Sequence, residues 1–416
     1  MTFGSVLLAF ATVWVDRANR LEEAWFFLYT GGPEGAREVL STTAGSMITV
    51  AGIAFSTTMV AFSFASSQLG PRLLGQFMRD RGNQIVLGTF ISTFVYCLLV
   101  LRTVSTTGGE FVPHIGVTVG LLLALASLGV LIYFIHHAAM ALQADYVIAI
   151  VADELDHALK HLYPEGGGEE PDANAIAQFE QTEKKLRSED AAEVSLSASG
   201  YVLSLDLAAL MRLAAEQDLL LRVKSRPGRY VHDGRVVAEV WPGGSLDETT
   251  SGRIRDAFEI GRTRTSRQDV SFAINQLVEV AVRALSPGVN DPFTAVTSVD
   301  RLTTALLHLM RRPWPSRFRV NDEGHLRLIA EGADFDSVVD AAFHQIRRSG
   351  AGMPAVMIHL LESLQVLLEE AKSPEHRAAL QRHLDLVSRA ALRETEEPAD
   401  RRDVDEAARP GVVKEE

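Results

Sequence analysis

The sequence predicts an α-helical membrane region of three to four transmembrane helices, followed by a soluble α+β domain with a small β module and a helical C-terminal part. Three observations carry that prediction. Apolar runs long enough to cross a bilayer are confined to the first third of the chain. The mean hydropathy of +0.09 lies between the values expected of a soluble protein and of one held mostly in lipid. Beyond residue 190, apolar residues change from three-and-four spacing to alternation, the period of a strand.

Hydrocarbon offers a peptide group no hydrogen-bond partner, so a span has to be a helix of roughly 20 mainly apolar residues. Segments 45–67, 84–104 and 114–136 meet that length. Segment 1–15 is apolar but short, and a basic leading region and a small-residue cleavage pattern are both missing. A thin or truncated span is therefore expected there rather than a cleaved signal peptide. The membrane region is expected over 1–137. Loop 70–83 carries Arg72, Arg79 and Arg81, whereas the next carries only Arg102 and Glu110 at its edges. Basic residues near membrane ends stay in the cytoplasm, which sets 16–43 outside and everything after residue 137 inside. Trp14, Trp25, Phe26, Phe27 and Tyr29 suit interface anchors.

From residue 138, Val147, Ile148, Val151, Leu155 and Leu159 continue a helical stripe, predicting an amphipathic stalk that prolongs the last span. A Gly- and Glu-rich break at 164–172 and a polar helix over 173–188 complete a stalk and linker, 138–190. The β module, 191–244, is expected from alternating runs at 192–197, 201–206, 219–224 and 235–241, with a helix at 207–217. Segment 245–393 reads as mainly helical, interrupted by a hairpin at 317–329 around Asn321-Asp322-Glu323-Gly324. From 394 to 416 the chain is charged and poor in apolar residues, and is expected to be disordered.

Composition narrows the chemistry. With 53 acidic against 40 basic residues the net charge is −13, so a nucleic-acid partner, which needs a basic face, is not expected. The single cysteine, Cys97, permits neither an intramolecular disulfide nor a cysteine metal cage. Walker, GxSxG and HExxH patterns and a GxGxxG before a helix are absent, and no catalytic residue, cofactor or metal ligand is assigned. Asp153, His157 and His161 share a helix face, where a solvated charged surface is the simpler reading than a metal site.

The first full span is the most informative segment. Gly45, Thr49, Gly52, Ser56, Ser63, Ser67 and Gly70 recur every three or four residues, interrupted only by Met59. Two readings are open: close helix packing, in which small residues let backbones approach, or the wall of a conduit in an oligomer. The three full spans carry no charged residue away from their ends, so a charged intramembrane relay has no candidate. Arg72 and Arg79 sit at the cytoplasmic end, as headgroup anchors or as the basic mouth of a pore.

In the soluble part, Asp269 and Asp291 sit where helix N-caps are expected, Asp291 being followed by Pro292. Arg264, Gln268, Arg283 and Asn290 are left without an assigned role. Together these six residues form a possible ligand pocket, with support of tight turns as the alternative.

Ser63-Phe64-Ala65-Ser66-Ser67-Gln68-Leu69-Gly70-Pro71-Arg72, Ser199-Gly200-Tyr201-Val202, Arg264-Thr265 with Gln268-Asp269, and Arg283 through Ala295 (RALSPGVNDPFTA) stand together in this chain. Their combination resembles a family of bacterial predicted membrane proteins, domain-of-unknown-function family 2254, over nearly the whole length. The resemblance implies a multi-span N-terminal region and a soluble domain in the bacterial inner membrane. It brings no activity or catalytic residue. Such proteins usually begin with a longer first apolar span, so the start at Met1 departs from the pattern. Paired-glycine strands over 198–240 also look like a biotinyl or lipoyl-type barrel sandwich, with Lys224 away from the tip where such a domain is modified.

The expected function is an oligomeric ion channel or channel-like passive transporter with a cytoplasmic regulatory or assembly domain. The alternative is a membrane-anchored sensor or scaffold. The expected partners are the lipid bilayer and further copies of the chain. Enzyme activity ranks third and requires Arg264, Asp269, Arg283 and Asp291 to share one pocket.

Overall fold

The computed structural model describes residues 1–18, 28–69, 81–105, 111–141, 143–163 and 191–409. Gly70, Arg72, Arg79, the anchors Trp25, Phe26 and Phe27, and the helix expected at 173–188 lie outside the described residues. The chain divides into two units, Met1–Val147 and Ile148–Glu416.

The first unit is built on four helices, α1 (Thr2–Ala18), α2 (Pro33–Leu69), α3 (Arg81–Leu101) and α4 (His114–Ala141). Three of them, over Pro33–Phe64, Arg81–Leu101 and His114–Met140, are long and apolar enough to cross a membrane. The 17 residues of α1 reach about 25 Å at 1.5 Å per residue, short of a hydrocarbon core of about 30 Å. Even so, Ala9 and Thr12 are buried against the other helices while Phe3, Leu7, Phe10 and Trp14 face outward. The expected span 45–67 begins twelve residues earlier, at Pro33. Its charged opening turns, with Glu34, Arg37 and Glu38, conceal the helix from a hydropathy reading, yet Ala36 and Leu40 are fully buried.

Several buried polar atoms inside this unit pair across helices. The Tyr96 hydroxyl, fully buried, donates to the Gly116 carbonyl at 3.1 Å and lies 3.0 Å from the Thr12 hydroxyl. Thr93 and Ser127 hydroxyls meet at 3.1 Å. At one end of the bundle Asp16 accepts the Ile115 and Gly116 amides at 3.0 and 2.9 Å, so the end of α1 caps the start of α4. Outer faces carry large exposed apolar residues such as Ile53, Phe55, Leu122, Leu125 and Ile132, a belt that only lipid or another helix can cover.

The expected stalk is a separate helix, α5 (Ala144–Leu162), rather than a prolongation of α4. Ile148, Val151, Leu155 and Leu159 are buried. Ser266 donates to Glu154, and Arg312 donates to the Tyr163 carbonyl at 2.6 Å, tying α5 to the second unit from Ile148 onward.

The second unit continues through β1 (Ala192–Ser195), β2 (Gly200–Leu205), α6 (Leu207–Glu216), β3 (Leu220–Val223), β4 (Tyr230–Val231), β5 (Val236–Trp241), α7 (Glu248–Asp256) and β6 (Phe258–Gly261). Then come α8 (Val270–Ala284), α9 (Pro292–Met310), β7 (Phe318–Val320), β8 (Leu326–Ala330), α10 (Phe335–Gly350), α11 (Pro354–Glu370), α12 (Pro374–Glu394) and α13 (Pro398–Ala407). Two sheets form, in the orders β1-β5-β3-β8-β7 and β4-β2-β6. The expected hairpin supplies β7 and β8, and β8 runs parallel to β3, pairing Leu221 with Leu328. The β module thus does not close within 191–244: Leu328 and Phe258, from beyond it, are buried with Val202, Leu221 and Val240 in one core. A barrel sandwich made of 198–240 alone is not the observed arrangement.

The expectation of a disordered tail from residue 394 needs correcting. Helix α13 forms there because its few apolar residues fall on one face: Val404 is fully buried and Ala407 nearly so. Gln365 donates to the Ala407 and Arg409 carbonyls, closing the helix end. Replacing Val404 by Asp removes about 2 kcal/mol of burial and adds an unpaired charge. The expected outcome is fast tryptic cleavage at Arg401 and Arg402 in the variant, and resistance in the parent protein.

Candidate functional site

In the second unit a cavity of about 530 Å³ opens where the β2–α6 turn, the Arg226–Arg229 turn, the approach to α8 and the ends of β7 and β8 converge. Of the six residues expected to form a pocket, Arg264, Gln268 and Asp269 line it. Arg283, Asn290 and Asp291 are not among its lining residues. The gathering of Arg264, Asp269, Arg283 and Asp291 on which an enzyme reading depended is therefore not what the fold provides.

Each lining group is held by an identifiable interaction. Asp269, 6% exposed, caps α8 by accepting the Phe272 amide at 3.2 Å. Its other oxygen accepts both Nε and Nη2 of Arg264, at 2.9 and 2.6 Å, a charge-assisted pair of the stronger kind. The Arg264 guanidinium also lies over the Phe272 ring, 5.4 Å from its centroid. Gln268 reaches back to β2, accepting the Leu205 amide at 2.9 Å and donating to its carbonyl. The Gly228 φ of +85° and a Cβ position 2.1 Å from the Asp269 carboxylate leave room for glycine alone.

Three further arginines line the cavity, Arg226, Arg229 and Arg319, against Asp269 and Glu331 as the only carboxylates among its lining residues. Arg226 is anchored by donating to the Gly332 carbonyl at 3.0 Å. Tyr163 contributes a phenol whose pKa burial pushes up to about 12, so it stays a neutral hydrogen-bonding group. Asp334, the N-cap of α10 beside the cavity, is held below the usual carboxylate range by its hydrogen bond with Ser337 and, less, by the Arg226 charge. With four arginines against two carboxylates and a neutral phenol, the lining carries a net positive charge, which suits a small anionic ligand.

Sequence reading missed Arg226, Arg229, Arg319 and Tyr163 because they are far apart in the chain. The one local signal was the Arg226-Pro227-Gly228-Arg229 turn itself. Asn290 has a backbone role instead, occupying φ 51° between α8 and α9. Asp291 caps α9 through the Thr294 amide at 3.2 Å. Asp153 and His157 are exposed on α5 and do not converge on a metal-compatible geometry among the described residues, whereas His161, also exposed, reaches the cavity rim.

Asp269→Ala removes a cap and strands Arg264, for an expected loss of about 2–4 kcal/mol. Asp269→Asn retains the cap and should lose about half as much. Gly228→Ala should be at least as damaging as Asp269→Ala. Midpoints of the soluble unit's unfolding transition in the full-length protein give the order.

No solved structure matches the chain. It is 34% identical over 380 residues to an uncharacterized protein of Mycobacterium bovis, covering 90% of this chain and 71% of that one. The same figures hold for an uncharacterized protein of Mycobacterium tuberculosis. The family model described as "Predicted membrane protein (DUF2254)" matches residues 1–366, so membrane region, sheets and cavity all fall within it. The chain belongs to this family of predicted membrane proteins.

Proposed function

We propose that the protein works as a homo-oligomeric, channel-like passive transporter of the bacterial inner membrane, with its soluble unit in the cytoplasm as a regulatory or assembly domain. The observation that carries this reading is the direction of the small-residue stripe on α2. Gly45, Thr49, Gly52, Ser56, Ser63 and Ser67 are all exposed, whereas Ala44, Ala51, Ala54 and Thr58 form the buried face. A Cβ placed on Gly45 or Gly52 meets nothing within 4 Å. Packing among the described residues therefore does not account for the stripe.

At about 100° per residue the stripe stays within roughly 40° of one line along the helix. Ile48 and Phe55 flank it on one side, and Ile53, Val60 and Phe64 on the other, all exposed. Such a small, hydroxyl-bearing face between bulky ridges is poorly matched to lipid chains. In a ring of copies the ridges meet adjacent helices and the small hydroxyl-bearing face turns to the axis. Arg81 and the two other arginines of its loop favour the cytoplasmic side for that end of α2 and α3.

The arginine-lined cavity favours a second reading, a membrane-anchored sensor of a small anion. The two readings separate experimentally. In proteoliposomes the transporter reading expects ion flux, altered severalfold by Ser56→Leu, and an oligomer that Ile53→Ser, on an exposed ridge, weakens without unfolding the protomer. A monomer in bilayers with no flux of any small ion, together with a rise in melting temperature on adding inorganic phosphate, would replace it with the sensor.

A further inference from the structure

We propose that Asp340, His344 and His383 form a binding site for one divalent transition-metal ion of the zinc class. The site lies in the helical part of the second unit and involves none of the cavity's lining residues. Asp340 and His344 stand one turn apart on α10, so both side chains leave the same face, and His383 comes from α12. The Nε2 atoms of His383 and His344 lie 2.8 and 3.2 Å from the same Asp340 oxygen, Oδ1. One donor atom from each residue falls within 4.8 Å of the other two.

Tetrahedral zinc with bonds of about 2.1 Å separates its ligand atoms by about 3.4 Å. The two separations from Oδ1 are slightly shorter and the third lies within 4.8 Å, so small side-chain rotations bring the triangle to that size. Two imidazoles and one carboxylate form the usual donor set of a three-ligand zinc site with one position left open. His383 has no exposed surface, while Asp340 and His344 are about one-third exposed at 34% and 29%. The position is thus anchored from below and reachable from solvent.

The arrangement as a purely structural cluster is crowded. Asp340 Oδ1 faces both imidazole nitrogens and also accepts Nη2 of Arg382 at 2.7 Å. The other ring nitrogens, Nδ1 of His344 and of His383, are buried without a hydrogen-bond partner among the described residues. Those two nitrogens are unpaired with or without an ion, since an imidazole that ligates through Nε2 keeps its proton on Nδ1; what an ion relieves is the crowding of three donors on the one Asp340 oxygen. A cation between Nε2, Nε2 and Oδ1 instead uses two lone pairs and one negative charge. Arg382 then remains held by Asp336, to which it donates at 2.6 Å.

Full-length protein stripped with a chelator and titrated with zinc chloride alone tests the site. One equivalent should bind, and cobalt in its place should give the intense visible bands of a four-coordinate ion. Asp340→Asn and His344→Gln, both at partly exposed positions, should each weaken binding by more than about tenfold while leaving the metal-free melting temperature near that of the parent. His157→Gln, on the exposed face of α5, should leave binding unchanged. His383→Gln, being fully buried, counts only if it folds. Absence of stoichiometric binding in the parent, or binding undiminished in both Asp340→Asn and His344→Gln, overturns the proposal.

Discussion

Everything in the first unit follows from the lack of hydrogen-bond partners in hydrocarbon. Backbone groups must be satisfied within helices, and each hydroxyl placed among them needs a local answer. Thr49, Thr58, Thr89 and Ser127 find it by donating to the carbonyl four residues earlier. Tyr96 finds it across helices, on Gly116 of α4. Where a helix end is exposed by the fold, as at the start of α4, a carboxylate from another helix takes over the free amides. The same constraint shapes the α2 stripe, since Thr49 and Ser67 spend their protons on their own backbone. The face is thereby compact and mildly polar, suited to a neighbouring helix or to water more than to lipid chains.

In the second unit the recurring device is a carboxylate at a helix start. Asp206, Asp247, Asp269, Asp291 and Asp334 each accept an amide of the first turn. Asp269 differs from the rest because its second oxygen also binds Arg264, so one side chain fixes both the entry of α8 and one wall of the cavity. The cap brings the charged pair to an interior position, and the pair stays satisfied there because both oxygens of Asp269 accept hydrogen bonds. Stability and site geometry are therefore coupled at this residue.

Features set by local periodicity were legible in the sequence. The three spans, the alternation of β1, β2, β3 and β5, the β7–β8 hairpin and the caps at Asp269 and Asp291 all rest on residues within a few positions of one another. What escaped was non-local or masked by composition. The parallel pairing of β3 with β8 joins residues about a hundred positions apart, and alternation says nothing of partner choice. Helix α13 was hidden because only Val404 and Ala407 interrupt a charged run, yet two apolar residues three apart are enough when a groove exists to receive them. Half of the candidate pocket was legible because Arg264, Gln268 and Asp269 are neighbours in sequence. Arg283 lies in the last turn of α8, and Asn290 and Asp291 belong to the α8–α9 turn, whose motif is as conspicuous but serves backbone geometry.

The cavity's sign runs against that of the chain. A net charge of −13 would repel an anion at long range in pure water. At physiological ionic strength, however, charges farther than about 8 Å are largely screened, so the field inside a cavity is that of its own walls. Those walls carry four arginines and two carboxylates, and one carboxylate is consumed by Arg264. The remaining guanidiniums are spread over the Arg226–Arg229 turn and β7, on opposite strands of chain. An anion bridging them would tie the three-stranded sheet's turn to the edge of the five-stranded sheet. Ligand binding at this position would therefore act on the packing of two sheets rather than on a single loop.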